Sequence, residues 1–258
     1  MNMEHTHACC VPVSPLRIEP AHRTEMVTQQ LFGETCMIID FGDDIWVKIK
    51  CSYDGYEGWC QQSHLCRINN DGDSTSNELT ADYLGEIDFN GTIMHIPMGC
   101  SLKTFKNGKA KWEENLVVFN GNRFTPGRLS NKEETIRKIS NSFLNTAYLW
   151  GGKSIFGIDC SGFTQTIFKF LNIPLLRDAW QQASQGECVE SIHLAQAGDL
   201  AFFDNESGKI THVGIVLDNL QIIHSSGKVR IDQMDALGIV NADTKARTHR
   251  LKTIRRYF

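Results

Sequence analysis

Strand-type and helix-type periodicity divide this chain unevenly, and the order in which they occur restricts the folds open to it. Up to about residue 125 apolar residues fall in short runs between Gly- and Asp-rich turns, the pattern of small all-β units. Ser130 then opens a helix. Ser130 and Glu133 have the spacing of a capping box, and Ile136, Ile139, Phe143 and Ala147 share one helical face, which predicts a helix reaching about Tyr148 and stopping before Gly151-Gly152. A second helix is expected from Asp159 onward, with Phe163, Ile167, Phe170 and Leu171 on its apolar side and Asn172-Ile173-Pro174 at its end. Arg177–Gln182 reads as a short helix or turn. Strand runs follow at Ala197–Phe203, Thr211–Leu217 and Gln221–His224, the last two joined by a tight Asp218-Asn219 hairpin. Helices first and an antiparallel meander after them give an α+β arrangement for residues 126–258.

Within the β part, residues 11–70 hold strand-like runs at Val11-Pro12-Val13, Met37-Ile38-Ile39 and Ile45–Ile49, with Asp54-Gly55 as a hairpin signal ahead of Tyr56-Glu57-Gly58-Trp59. Short strands at this spacing predict a small barrel. Residues 71–78 are polar and turn-rich and read as a linker. Residues 79–125 return to β patterning and are a possible second barrel, although they lack the Gly-Trp pair. Residues 1–10 read as a loose end whose His5, His7, Cys9 and Cys10 lack a preorganised geometry, so no metal site is expected there.

The 258 residues are 41% hydrophobic and 22% charged, with a net charge of −4, a globular composition without the basic footprint of a nucleic-acid binder. Nine cysteines, an odd number without a Cys-x-x-Cys pair, argue against a disulfide framework and for reduced thiols. The first residues have no basic region followed by an apolar core, and no run reaches transmembrane length. A cytoplasmic location is therefore expected, with no membrane partner.

The chemistry concentrates in Gly157-Ile158-Asp159-Cys160-Ser161-Gly162-Phe163. An Asp at an N-cap position with a Cys one residue later places a thiol in the first turn of a helix, where unpaired N–H groups and the macrodipole favour thiolate. A buried, inert thiol is the alternative. A nucleophile needs a base, and His212 and His224 lie on neighbouring strands of one hairpin, within cross-strand reach of each other. Either could be an ordinary core histidine, and a zinc site on the same three residues is a further option, but a helix-start thiol suits a nucleophile better.

Tyr148-Leu-Trp-Gly-Gly, Asp159-Cys-Ser-Gly-Phe, Ala197-Gly-Asp-Leu, Thr211-His-Val-Gly-Ile and Ile223-His-Ser-Ser-Gly occur in an order that resembles the NlpC-type cysteine peptidases of bacterial cell-wall metabolism. The resemblance covers roughly 126–258 and implies a papain-like fold. It makes Cys160 the nucleophile, His212 the general base and acid, His224 its orienting residue and Tyr148 a neighbour of the catalytic centre. Residues 11–70 resemble a bacterial SH3-like domain through Pro15-Leu16-Arg17, Gln30–Glu34 and Asp54–Trp59.

A narrower likeness, through Leu31-Phe32-Gly33-Glu34 and Arg177-Asp178-Ala179, is to γ-D-glutamyl-L-diamino acid endopeptidases that carry SH3-like domains ahead of the catalytic one. It implies short peptidoglycan peptides such as L-Ala-γ-D-Glu-diamino acid as substrates and no cofactor. Asp178 and Glu34 would hold the substrate ammonium, Tyr56 would close that pocket, and Asp159 and Ser161 would line the D-Glu position. The expected function is therefore cleavage of released stem peptides during murein recycling. An exported hydrolase whose SH3-like domains bind wall polymer, or a catalytically inert wall-peptide binder, are the alternatives.

Overall fold

A computed structural model describes residues 5–43, 45–68, 77–127 and 131–258. The chain divides into two compact units, Met1–Arg128 with Trp150–Ile155, and Leu129–Leu149 with Phe156–Phe258. Both are rich in sheet, and helices are few.

The first unit opens with β1 (Thr6–Cys9), β2 (Val13–Arg17), β3 (Met26–Leu31), β4 (Thr35–Phe41), β5 (Trp46–Cys51), β6 (Glu57–Gln61) and β7 (Leu65–Arg67). They form one antiparallel sheet in the order β3-β2-β6-β5-β4-β1-β7. Strand alternation turns Cys36, Ile38, Val47, Ile49 and Cys60 inward around Leu16. Lys48 and Glu57 pair across β5 and β6 at 3.0 Å. The Asp54-Gly55 turn forms as expected, with Gly55 at φ +73° and the Asp54 carboxylate accepting from the Tyr56 N–H at 3.0 Å.

Residues 79–125 supply β8 (Leu79–Thr80), β9 (Leu84–Phe89), β10 (Thr92–Pro97), β11 (Lys109–Trp112), β12 (Asn115–Val118) and β13 (Arg123–Phe124). Four of these make a sheet in the order β10-β9-β12-β11, and β13 pairs with β8. Trp112 sits at the centre of a core shared with the preceding barrel, 5.1 Å from Phe32 and about equally near Phe89 (6.1 Å) and Phe105 (6.0 Å). Gly33, at φ +75°, lies where a Cβ would fall 2.1 Å from the Ser101 carbonyl oxygen. No side chain fits there, so the Phe32-Gly33 pair is a packing requirement as well as a motif.

One expectation for this unit changes. Thr6–Cys9 is not a loose end: β1 pairs with β4 and β7, and Ala8 and Cys9 are fully buried. Its partners are distant in sequence, which is why local polarity misled. Of the expected linker, residues 71–76 lie outside the described residues.

The second unit holds α1 (Lys132–Ser142), α2 (Cys160–Phe170) and α3 (Ala179–Gln182). Between α1 and α2 the chain contributes β14 (Lys153–Ser154) to the first unit and β15 (Gly157–Ile158) to the second. After α3 come β16 (Glu187–Val189), β17 (Leu200–Asp204), β18 (Ile210–Val216), β19 (Gln221–Ser226), β20 (Lys228–Asp235), β21 (Gly238–Val240) and β22 (Arg247–Arg256). They run in the order β16-β22-β17-β18-β19-β20-β21, and β21 also pairs with β22. Phe143 meets Phe163 edge-on at 6.0 Å, and Ile167, Phe168, Phe202, Val213 and Ile223 are fully buried in the same unit. Each such side chain is worth about 1.5–3 kcal/mol of apolar burial. Ile222, Phe203, Val216, Met234 and Ile239 form a second cluster.

The first helix is shorter than its periodicity suggests. Ser130 lies outside the described residues, and Asn131 is the N-cap, accepting from the Glu134 N–H at 3.1 Å. The helix closes at Phe143, because Asn145 turns left-handed at φ 67° and Ala147 bridges to Lys228.

Candidate active site

Asp159 caps α2, its carboxylate accepting from the Gly162 N–H at 2.6 Å, and this fixes Cys160 as the first helical residue. The thiol is buried at 6% exposure. Burial raises its pKa, helped by the Asp159 charge, while the Val213 and Ser161 N–H groups and the Arg177 cation oppose the rise. The balance lies at about 12. The N–H groups at the helix start pull toward thiolate, as expected, and burial pulls the other way. Desolvation outweighs the N–H groups in the free protein, and a thiolate forms here only with a proton acceptor at hand.

That acceptor stands on the adjoining strand. Val213, whose N–H faces the Cys160 sulfur, follows His212 on β18. His212 Nε2 lies 2.8 Å from Nδ1 of His224 on β19, both rings buried, with Gly214 rather than His212 directly opposite His224. The pairing is therefore diagonal, and Gly214 makes room for it: a Cβ there would come 2.9 Å from that of His224. Asp218–Leu220 close the hairpin, with Asn219 at φ 54°. Burial first, then the neighbouring imidazoles His224 and His249, pull the His212 pKa well below its usual value. His212 is consequently neutral at pH 7 and free to take a proton. Such an arrangement can carry a thiol proton to an imidazole and return it to a leaving amine.

Two members of this cluster had no signature in the sequence. His224 Nε2 reaches the Asp232 carboxylate on β20 at 3.0 Å, and His249 of β22 stacks on His212 with ring centroids 4.1 Å apart. Asp232 was hidden because only the β19–β20 register brings it beside His224. His249 was hidden because β22 arrives from far along the chain.

Burial, with the nearby His224, lowers the His249 pKa to about 4, against the opposing Asp232 charge. The consequence for stability has a definite sign. The unfolded chain protonates His212 and His249 as the pH falls through about 6.5, whereas the native state resists to about 4 for His249 and also takes up its proton on His212 well below the usual value. Stability is whole above that window and is lost as the pH drops through it. Melting temperatures measured between pH 7 and 4 are expected to fall, and His249→Phe should reduce the slope by about one proton taken up on unfolding. An unchanged slope would count against this placement.

The remaining site residues divide between the units. In the second, Asp159 and Ser161 are tied to Arg177, which is 1% exposed. The guanidinium grips the carboxylate at 2.6 and 3.1 Å and the hydroxyl at 2.9 Å. Gln182 of α3 donates to the Ser161 carbonyl at 3.0 Å and accepts from Thr164 at 2.7 Å, locking α3 to the start of α2. Asp178 is the half-buried N-cap of α3, its N–H donating to Gln181 at 2.9 Å. Tyr148 is half-buried. Burial first, then the Cys160 and Asp159 charges, keep its hydroxyl protonated and able to donate. In the first unit Glu34 is buried rather than solvated; its carboxylate accepts from the Leu31 N–H at 2.9 Å and faces the Lys153 ammonium at 3.6 Å. Tyr56 is half-buried beside the Asp54 turn. No group of three or more metal-ligating side chains occurs among the described residues.

Residues 145–248 match the NlpC/P60 family and residues 16–65 the bacterial dipeptidyl-peptidase SH3 domain, so the chain joins an NlpC/P60 domain to a bacterial SH3 domain. It is similar to the γ-D-glutamyl-L-lysine dipeptidyl-peptidase of Bacillus cereus, 28% identical over 229 residues, covering 78% of this chain and 67% of that protein. The protein of the same name from Bacillus subtilis is 45% identical over 94 residues, 36% of this chain and 31% of its own. A solved NlpC/P60 family protein from Bacillus cereus shares the fold, with a TM-score of 0.80 at 20% identity over 98% of this chain and 99% of that one. Together these relationships support a peptidoglycan-related cysteine peptidase of the NlpC/P60 kind.

Proposed function

We propose that this chain hydrolyses the bond between γ-D-glutamyl and the following diamino acid in short peptidoglycan peptides that carry a free N-terminal L-Ala, and that it does so in recycling released peptides in the cytoplasm. The observation that carries the reading is the hydrogen-bonded row of His212, His224 and Asp232 in the unit whose helix α2 opens on the Cys160 thiol. The names of the relatives support the γ-D-glutamyl bond and make lysine one candidate for the diamino acid.

In this mechanism His212 takes the Cys160 proton as the sulfur attacks the γ-carbonyl carbon. The Ser161 and Val213 N–H groups face the sulfur, and the N–H groups at the start of α2 suit the oxyanion. The imidazolium then protonates the departing amine, leaving a thioester. Water, deprotonated by His212, attacks the thioester and releases the γ-D-Glu carboxylate with the thiol restored. The catalytic domain is read as papain-like, with Tyr148 beside the reacting centre and Asp159 and Ser161 lining the D-Glu position.

The amino-terminal preference rests on charge. A desolvated ammonium needs a carboxylate partner, and an acetylated amine cannot form the pair. Asp178, at the start of α3, is the candidate that the second unit supplies. The test compares L-Ala-γ-D-Glu-L-Lys and its diaminopimelate counterpart with their N-acetylated forms. Acetylation is expected to lower kcat/KM by at least about 10²-fold, the loss of a charged partner in a buried site. Equal rates would remove the ammonium pocket, and activity confined to intact wall would favour an exported hydrolase.

A further inference from the structure

We propose that Asp232 is the positioning residue that sets the tautomer of both active-site histidines, and so leaves the lone pair of His212 on the nitrogen available to Cys160. This rests on the peptidase reading given above.

The inference follows from donor and acceptor counting along one row of atoms. Asp232 is 2% exposed, yet it stays ionised. Burial would push its carboxyl up, but hydrogen bonds from His224, Arg230 and the Ala242 N–H hold it well below the usual carboxylate range. Arg230 donates to both oxygens at 2.9 Å, the Ala242 N–H reaches Oδ1 at 2.7 Å, and Asp243 steadies the guanidinium from its far side at 2.9 Å.

An ionised carboxylate can only accept. His224 Nε2, 3.0 Å from Oδ2, must therefore carry the hydrogen. In neutral His224 the other nitrogen, Nδ1, is then bare and accepts. It faces His212 Nε2 at 2.8 Å, so His212 Nε2 must donate. That leaves Nδ1 of neutral His212 bare, and among the described residues no hydrogen bond occupies it. Each step dictates the next, and the terminal lone pair is the one a thiol proton needs.

The opposite polarity of the same row is inert. If His224 carried its hydrogen on Nδ1, it would donate to His212 Nε2, and His212 Nδ1 would hold a hydrogen instead of a lone pair. Geometry alone does not choose between the two, because the heavy-atom distances are the same. The fixed negative charge at Asp232 chooses. An asparagine there, with Arg230 occupying its oxygen, turns its NH2 group toward His224 and selects the inert polarity. In a serine-peptidase triad the corresponding carboxylate-to-amide change costs on the order of 10⁴ in kcat.

The charged and titratable groups facing the row are His249 on β22, stacked on His212 and 5.8 Å from His224, and Arg230 and Asp243 behind Asp232. None of them accepts from His224 Nε2, so none substitutes for Asp232.

The experiment uses the full chain labelled with ¹⁵N-histidine. Long-range ¹H–¹⁵N spectra at pH 7 are expected to show hydrogen on Nε2 of both His212 and His224 in the unaltered protein. Hydrogen on Nδ1 of either would overturn the proposal without any variant. Asp232→Asn is expected to move the pair toward Nδ1–H and to lower kcat by about 10²–10⁴-fold with KM nearly unchanged. In a His224→Gln background the same change should add little, because Asp232 acts through that ring. Parent-like kcat and tautomers in Asp232→Asn, or full additivity with His224→Gln, would overturn the proposal. The spectra do not depend on turnover. Activity surviving Cys160→Ala would therefore sink the peptidase reading while the tautomers still decide the relay.

Discussion

Cys160→Ala is expected to fold as the parent chain does and to lose turnover by on the order of 10⁴–10⁶-fold, the effect of removing a nucleophile from a cooperating set. The thiol lies at the buried start of α2 and contributes no hydrogen bond that holds the helix, whose cap is Asp159. Exchanging sulfur for hydrogen there leaves a small void worth about 1 kcal/mol. Circular dichroism and melting should therefore stay close to parental, while release of the diamino acid falls to the limit of detection. Because His212 and Asp178 remain, calorimetry should still register binding of a free-amine peptide. Turnover within tenfold of the parent would remove Cys160 from the reaction.

Arg177→Ala should produce the largest loss of stability of any single change near the site. Arg177 is almost wholly buried and satisfies both Asp159 oxygens and the Ser161 hydroxyl. Removing it strands a buried carboxylate at the cap of the catalytic helix, a change that costs about 3–5 kcal/mol. Arg177→Lys keeps the charge but not the two-pronged geometry and should recover only part of that. Asp159→Asn in the Arg177→Ala background should recover some stability by removing the unpaired charge while keeping a capping side chain. Denaturant unfolding measures all three. A loss under about 1 kcal/mol for Arg177→Ala would mean that the pair is solvent-compensated despite its burial.

What could be read from the chain and what could not separate along a physical line. The Asp159-Cys160 cap, the Asp54-Gly55 turn and the His212 and His224 hairpin are local, and short motifs suffice to place them. Thr6–Cys9 looked unstructured because nothing nearby completes a strand; its partners Thr35–Met37 and Leu65–Arg67 do. The helix from Lys132 seemed to continue to Tyr148 because Ala147 falls on the apolar spacing, yet the left-handed Asn145 ends it. Arg177 entered as part of a motif, and only packing showed it to be the counter-ion of Asp159. Asp232 and His249 belong to the site through register and strand order, which polarity along a single strand does not encode.

The position of β22 also bears on how the molecule comes into being. It lies between β16 and β17 and pairs with β21 as well, so it binds both ends of the meander together and delivers His249 to His212. A nascent chain that has emerged only as far as Val240 already contains Cys160, His212, His224 and Asp232, but its sheet still has a gap where β22 belongs. Pairings that span so much sequence form late. A fragment that stops short of Arg247 lacks the strand with which β16, β17 and β21 all pair, and their edges are left open.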